Sequence, residues 1–418
     1  MGGAGRHRTA EGTAPHDNRD TTSQETTMPA HQETMITAEA AGNPNSDPHP
    51  GVNAGKGRLR RRDDSKASAR AAVGGILLAA MAFCSSAVQA QDPPFRSYGG
   101  SSVSFDARVH AQYEAPSAEG AVSTFSMRRA WITLDGRYND FVSGRLQFEA
   151  LRGGTVLDAW LTLSFSESFV LNMGQFKRGI SYFWLVPNSD LPLIERDARV
   201  SGVDDCPGIG GVCSFGNLAF RLGLNGYEPG LLMTGRLGSR ASYRVTLTNG
   251  EGIDNRDVNN WKSTTTQLSF DLAEESRFAV YASFDETHFD HGSAWTPAYG
   301  LEFEAGTWRD GGHLLLGAIR GRNWKVAQDT PFTAFQAMGL WYARLPETAR
   351  FEAIEPLLRL SWARTADADG EDFSGFTITP GFMLYAFGKN GISTNLDVYR
   401  SSLDRTEWSL KVQAFTYF

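Results

Sequence analysis

The stretch Ser101–Pro116, SSVSFDARVHAQYEAP, decides the fold because its side chains alternate between apolar and polar. Val103 and Phe105 share one parity, and Asp106 and Arg108 share the other. Successive side chains of a β-strand point to opposite faces, whereas a helix would not separate these residues in this way. The stretch therefore predicts a strand with one apolar and one polar face.

The same alternation returns along the chain. It is present in Val142–Glu149, Leu157–Leu163, Tyr243–Thr248, Gln267–Leu272, Phe278–Phe284 and Trp408–Ala414. Such segments, about ten residues long, match tilted strands that cross a bilayer. Very short links, at 138–140, 166–168, 238–240 and 388–390, alternate with longer polar ones. This asymmetry is typical of the periplasmic turns and extracellular loops of membrane barrels.

The number of candidate strands is sixteen or seventeen. An even number is expected when both termini lie on the periplasmic side, so the weakest candidate, Ala219–Leu224, is assigned to a loop. The sequence thus predicts an all-β fold, a transmembrane antiparallel β-barrel of about 16 strands. The longest connection, Gly179–Tyr227, becomes the third extracellular loop, expected to fold inward and narrow the lumen. The alternative is a loop lying over the rim.

The C-terminus supports a membrane barrel over a soluble β-sandwich, which would also alternate. The chain ends in Tyr417 and Phe418, the kind of aromatic end that outer-membrane barrels present to their assembly machinery. We therefore expect Tyr417 and Phe418 to act as an assembly signal and the barrel to reside in the outer membrane.

Composition excludes two other classes of protein. Mean hydropathy is −0.32, and the only window resembling a membrane helix is Ala71–Ala90, so a polytopic helical membrane protein is excluded. A formal charge of −7 argues against a dedicated nucleic-acid binder. Aromatic residues make up 11% of the chain, which favours a β-rich fold.

The first ninety residues divide into two parts. Residues 1–65 lack periodicity and large apolar side chains, which predicts a disordered extension. Residues 66–90 combine basic residues, an apolar run and a small-residue end, which predicts a signal peptide cleaved after Ala90 rather than a membrane anchor. The simplest explanation of so deep a signal is a start codon placed too far upstream, with the true start near Val52. Residues 91–418 are then the barrel.

Cleavage would leave two cysteines, Cys206 and Cys213, in a Gly- and Pro-rich segment. In an oxidising compartment such a pair is expected to form a disulfide, and two thiols alone are a poor metal site.

Several motifs resemble those of the phosphate-selective porin O/P family. They are Gly174–Lys177, Ser189–Arg196, Asn249–Gly252, Thr379–Phe382 and the closing strand to Phe418. The resemblance spans essentially all of residues 91–418. It implies a sixteen-stranded outer-membrane channel, usually a homotrimer, with basic lumen residues that guide anions to a constriction. The acidic balance of this chain departs from that pattern.

Basic residues on the inward parity or near the long loop are candidates for the anion path. They are Arg108, Arg129, Arg145, Lys177, Arg178, Arg196, Arg244 and Arg359. Arg320 is assigned to the same parity. The alternative is that these cations pair with neighbouring acids and only keep the lumen polar. Anion preference, if present, is expected to depend chiefly on the region from Lys177 to Arg196.

No catalytic, metal or cofactor motif stands out in the sequence. His288-x-x-His291 and the acidic runs Asp254–Asp257 and Asp367–Asp372 read as solvated loops. The expected function is passive diffusion of small hydrophilic solutes, with anions such as phosphate among them, without enzymatic activity. The expected partners are these solutes, outer-membrane lipid and the assembly machinery. The alternatives are a phospholipase-like barrel enzyme, for which His110 and His313 lack a serine motif, and a surface adhesin or receptor.

Overall fold

A closed antiparallel barrel dominates the structure, a computed structural model that describes residues 101–418 except 152, 188, 189, 192, 290 and 291. Within these residues the strands are β1 (Ser102–Pro116), β2 (Thr124–Arg137), β3 (Val142–Glu149), β4 (Thr155–Ser166), β5 (Phe169–Lys177), β6 (Tyr227–Leu237), β7 (Ala241–Thr248), β8 (Ser263–Ala273), β9 (Ser276–Phe289), β10 (Gly292–Thr307), β11 (Asp310–Arg322), β12 (Pro331–Arg344), β13 (Ala353–Ala366), β14 (Asp372–Phe387), β15 (Asn390–Ser401) and β16 (Thr406–Tyr417). The predicted extension over 1–65, the predicted signal over 66–90 and His291 lie outside the described residues.

Each strand pairs with its sequence neighbours, and β1 pairs with β16 to close the sheet. The fold class predicted from the sequence, a barrel of sixteen antiparallel strands, is confirmed. The four short links named above all connect strands at one end of the barrel, here called the short-turn end. The other, long-loop end carries the connection 178–226 between β5 and β6.

The two faces of the strands are chemically inverted relative to a soluble protein. On β13 the buried face carries Glu355, Arg359 and Ser361, while Leu358 and Leu360 on the opposite face are 44% and 36% exposed. A polar interior and an apolar exterior suit a barrel surrounded by lipid. The closed sheet of such a barrel pairs the backbone hydrogen-bonding groups of neighbouring strands with one another.

The inward placement of Arg320 is wrong. Its neighbour Ile319 is 1% exposed, whereas Arg320 lies on the exposed face of β11. The run Leu314–Ile319 is apolar at nearly every position, so alternation could not indicate which parity faces inward.

The connection 178–226 packs against the buried faces of many strands. Tyr182 N–H donates to Glu302 on β10 at 2.6 Å, and Phe215 N–H donates to Ser361 on β13 at 2.9 Å. Ile194 N–H donates to Asn395 on β15 at 2.8 Å. These bonds tie the connection to strands far along the chain.

Two short helices lie within this connection, α1 (Tyr182–Leu185) and α2 (Phe215–Arg221). The side chain of Ser214 caps α2 by accepting from Asn217 N–H. The assignment of Ala219–Leu224 to the connection rather than to a strand is confirmed. Its first residues, however, are helical rather than irregular. None of the helices in the described part of the chain is long and apolar enough to cross a bilayer.

An apolar core forms where the connection 178–226 meets strands β9–β14. Phe183, Phe215 and Leu218 of the connection cluster with strand residues that include Phe332 and Met338. Each such side chain contributes on the order of 1.5–3 kcal/mol when fully buried. The connection is thus held by burial as well as by hydrogen bonds.

Asp190 carries the connection to the opposite end of the barrel. Its carboxylate lies 2.7 Å from the Arg309 guanidinium and 2.8 Å from Lys389 Nζ. Arg309 and Lys389 sit in the links β10–β11 and β14–β15, which belong to the short-turn end. The connection therefore runs the full height of the barrel.

A disulfide joins Cys206 and Cys213, with the Cα atoms 4.9 Å apart. Both residues are buried, and Cys213 N–H donates to the Tyr399 hydroxyl at 3.3 Å. The bond closes a short Gly-rich loop whose ordering would otherwise cost conformational entropy.

We expect intact-mass measurement after thiol alkylation without reductant to add no alkyl group to Cys206 or Cys213. A reduced and denatured sample should gain two groups at these positions. Two added groups in the unreduced protein would contradict the pairing.

Candidate functional site

The inner wall of the barrel is unevenly covered. The inward side chains of β8–β16 are mostly buried beneath the connection 178–226. Examples are Thr265, Ser283 and Gln336. Inward side chains of β1–β6 are mostly half-exposed, including Trp131 and Trp160. The candidate path for solutes therefore lies along the wall formed by β1–β6.

Four cations lie close together at this wall, three on its strands and one on the connection that faces them. Lys177, at the end of β5, is within electrostatic reach of Arg196 and Arg129. Tyr227 on β6 is within electrostatic reach of Arg196, Arg129 and Arg108. We call Arg108, Arg129, Lys177 and Arg196 the basic cluster. Strands β1, β2 and β5 and the long connection each supply one member.

Two members of the cluster are not paired directly with an acid, although Glu195 and Glu149 are within electrostatic reach of Arg129, and Asp158 is within reach of Lys177. Among the described residues, Arg129 and Lys177 make no side-chain hydrogen bond and no ion pair within 4 Å. Arg129 lies 5.9 Å from the Trp131 ring centroid, and Lys177 Nζ lies 5.6 Å from Trp184 and 6.0 Å from Tyr227. Cation–π contact stabilises such charges without neutralising them.

Arg196 is held in place by the backbone. Its guanidinium donates to the carbonyls of Phe183 and Val186 and lies 5.8 Å from the Trp184 ring. Burial, together with repulsion from Arg129, lowers the pKa of Arg196 to about 9. The side chain therefore stays charged at neutral pH.

Other predicted path residues are partly neutralised. Arg108 pairs with Asp106 at 3.0 Å, and Arg145 forms a two-pronged contact with Asp135 at 2.6 and 2.8 Å. Arg108 and Arg145 thus fit the alternative that these cations pair with neighbouring acids, although both side chains remain on the half-exposed wall. The buried Asp158 is within electrostatic reach of Arg145, Lys177 and Arg108 but forms no ion pair within 4 Å in the described structure. The negative charge of the Asp158 carboxylate partly offsets the positive field of the basic cluster.

The remaining three predicted path residues anchor the long connection instead. Arg178 is 1% exposed and pairs with Asp285. Arg359 is fully buried and donates to the carbonyls of Glu195 and Arg196 at 2.9 and 3.1 Å.

This corrects the expectation that Arg178 and Arg359 line the open path, because the connection covers them. Arg244 donates to the carbonyls of Lys177 and Arg178, so it fixes the point where the connection leaves β5.

Sequence reasoning missed a second charge beside Arg129. The pairing of β1 with β2 shifts between His110 and Ala111, so Arg128 also reaches the interior and binds Glu195 at 2.7 and 3.0 Å. Burial alone would raise the pKa of Glu195, but Arg128 and Arg199 hold it well below its usual range. Two adjacent arginines in a strand hint at such a bulge without establishing it.

No candidate metal cluster of His, Cys, Asp or Glu occurs among the described residues. His110 lies 3.2 Å from the Tyr417 hydroxyl, and His313 lies 3.0 Å from Glu304. Both histidines are on the buried face, whereas lipid hydrolysis would need them on the outer wall.

Solved structures place this architecture among known barrels. It is similar to an anion-selective porin from Comamonas acidovorans, with TM-score 0.53 and 11% identity over 76% of this chain and 100% of that one. It is also similar to the outer membrane channel DcaP of Acinetobacter baumannii, with TM-score 0.51 and 11% identity over 77% and 99%.

The chain has an outer-membrane barrel fold. A trimer form of OmpT, an outer membrane protein of Vibrio cholerae, matches with TM-score 0.50 and 10% identity over 76% of this chain and all of that one. At such low identity the likeness concerns the fold alone. No protein-family model and no curated protein sequence matches this chain.

Proposed function

We propose that this chain is an outer-membrane porin, a passive channel for small hydrophilic solutes with a mild preference for anions. The observation that carries the proposal is the pair of cations Arg129 and Lys177, which form no direct ion pair among the described residues, on the half-exposed wall of a closed barrel. Fixed positive charge in a confined pore lowers the barrier for anion entry. The long connection, covering the opposite wall, narrows the lumen and brings permeating ions close to the basic cluster.

The net charge of −7 does not oppose this proposal. Acidic groups such as those of Asp367–Asp372 lie at the long-loop end, and Asp372 and Glu371 are exposed. In salt water their field is screened beyond about 8 Å. The basic cluster acts within the lumen, where ions must pass close by.

The same proposal includes the assembly and location of the protein. We take it to be exported to the outer membrane, inserted by the barrel assembly machinery and assembled as a homotrimer. The motifs that resemble those of phosphate-selective porins and the likeness of the fold to a trimeric barrel support this view. Phosphate is one candidate among the small anions.

The chloride-to-potassium permeability ratio in planar bilayers tests the proposal. We expect the parent to favour chloride, and both Lys177→Glu and Arg129→Glu to lower the ratio several-fold, because each reverses a charge beside the path. Arg236→Glu is the control, since Arg236 is exposed near the short-turn end and already paired with Asp271 at 3.1 Å. Cation preference in the parent, or an unchanged ratio in both cluster variants, would refute the proposal.

A further inference from the structure

The outer wall of the barrel carries exposed arginines at its long-loop end. Arg320 and Arg322 are the last two outward residues of β11. Arg364 of β13 lies in the same row as Arg320, because Thr333 of β12 pairs with both. We propose that Arg320 and Arg322 bind the phosphate of a membrane lipid in the leaflet at the long-loop end, with its acyl chains against the apolar wall beside them.

Neither Arg320 nor Arg322 is paired with an acid. Within the described residues no carboxylate lies within 4 Å of either guanidinium, and Arg322 contacts Asp329 through the backbone carbonyl of that residue. The residues that pair with the two arginines across β10 and β12 are uncharged. They are Tyr299, Thr333 and Pro331. Two positive charges on one outer face are thus available to an anion outside the barrel.

The spacing of the two arginines suits a phosphate group. Side chains at alternate positions of a strand project from the same face, about 7 Å apart along it. Each guanidinium presents a planar fork of donors to phosphate oxygens, and its long stem allows the charge to reach the headgroup level from an apolar wall. One phosphate has enough oxygens to accept from both Arg320 and Arg322.

The wall beside these arginines is apolar, which favours a lipid over a free ion. Leu314 and Leu316, on the same face of β11, are 38% and 39% exposed. Phe335 of β12 pairs with Ala318, is 50% exposed and stacks on Trp362 with the ring centroids 5.6 Å apart. Acyl chains of a lipid whose phosphate is held at the arginines can lie along this surface, whereas inorganic phosphate gains nothing from it.

The outer wall of β1 and β2 differs at the same end of the barrel. Its outward residues there are uncharged. They are Ala111, Tyr113, Phe125 and Met127. Charge complementarity with a lipid phosphate is therefore found on the side formed by β11 and its neighbours.

Two other arginines of the outer rim already have acidic partners. Arg364 makes a two-pronged contact with Asp372, and Arg400 of β15 pairs with Asp404 at 3.2 Å. Both arginines are exposed, as Arg320 and Arg322 are. Since its charge is offset locally, Arg364 is a matched control for Arg320 in the same row.

Lipid binding at this site goes beyond the proposed porin function and does not require an open channel. Native mass spectrometry of the detergent-solubilised protein with diphosphoryl lipid A measures it directly. We expect Arg320→Gln and Arg322→Gln each to weaken binding about fivefold, the effect of one basic residue near an anionic lipid. Arg364→Gln should bind as the parent does. An equal loss in all three variants would reduce the effect to general surface charge and overturn the inference.

Two further arms test the nature of the ligand. Inorganic phosphate in large excess should not displace lipid A, and displacement would make this a site for free anions. Phe335→Ala should weaken lipid A binding because it removes part of the apolar wall. Phe270→Ala is its control, since Phe270 is 41% exposed on β8 near the short-turn end. Parent-like binding in Phe335→Ala would contradict the placement of the acyl chains.

The thermal stability of the folded barrel gives a second readout. A ligand that binds the folded state raises the temperature of unfolding. We expect lipid A to raise the temperature at which the heat-modifiable band converts in the parent, and to do so much less in the double variant Arg320→Gln/Arg322→Gln. An equal rise in both proteins would place lipid A elsewhere and overturn the inference.

Discussion

Replacing Arg178 with alanine is expected to release the start of the 178–226 connection and raise single-channel conductance several-fold. Arg178 pairs with Asp285 on β9 and donates to Ser283 at 2.8 Å and Thr265 at 3.1 Å. Removing it leaves Asp285 buried without its counter-charge, which costs about 3–5 kcal/mol. Because this side chain ties the connection to the wall at its first residue, the covered half of the lumen should open.

Conductance in planar bilayers and the urea midpoint of unfolding measure the two effects. The double variant Arg178→Ala/Asp285→Asn should regain part of the stability, since it no longer buries an unpaired carboxylate. Arg364→Ala is the control, because Arg364 pairs with Asp372 on the exposed surface and should change neither quantity. Parent-like conductance in Arg178→Ala would show that the connection does not depend on this anchor.

Deletion of Phe418 is expected to abolish most of the assembled barrel. Phe418 N–H donates to the Ala107 carbonyl at 2.8 Å, and Ala107 N–H donates back at 3.3 Å. These bonds extend the seam between β1 and β16. Backbone groups left unpaired in lipid cost several kcal/mol each. The heat-modifiable band in the outer-membrane fraction measures the yield.

Two further variants separate the backbone from the side chain. Phe418→Ala keeps the seam bonds and removes only the aromatic end, so a loss of yield there would reflect recognition during assembly. Phe387→Ala is the control, since Phe387 is equally exposed near the short-turn end but does not end the chain. A normal yield after deletion would contradict the expectation for both the seam and the signal.

The barrel could be predicted from the sequence because its rules are local. Alternation in β1 depends only on neighbouring side chains, and the links at 138–140 and 238–240 join strands adjacent in the chain. Each antiparallel pair is therefore visible in one short window. The strand count follows once the termini are placed at the same end.

The candidate site was only partly predictable because its geometry depends on distant residues. The proximity of Lys177 and Arg196 could be expected from the position of the connection. The burial of Arg178 and Arg359 could not, since it depends on where the connection docks. A one-residue register shift in β2 likewise brings Arg128 inward, and the two adjacent arginines of the sequence hint at this shift without establishing it.

The long connection also constrains the order in which the chain can reach its native state. Its anchors lie far downstream: Asp190 meets Lys389, Ile194 meets Asn395, and the carbonyl of Arg199 accepts from Lys411. During synthesis the earlier residues emerge first, and contacts between such distant positions form slowly. The complete set of three anchors is therefore available only after the last strand, which carries Lys411, has been made, so the interior can be completed only as the barrel closes.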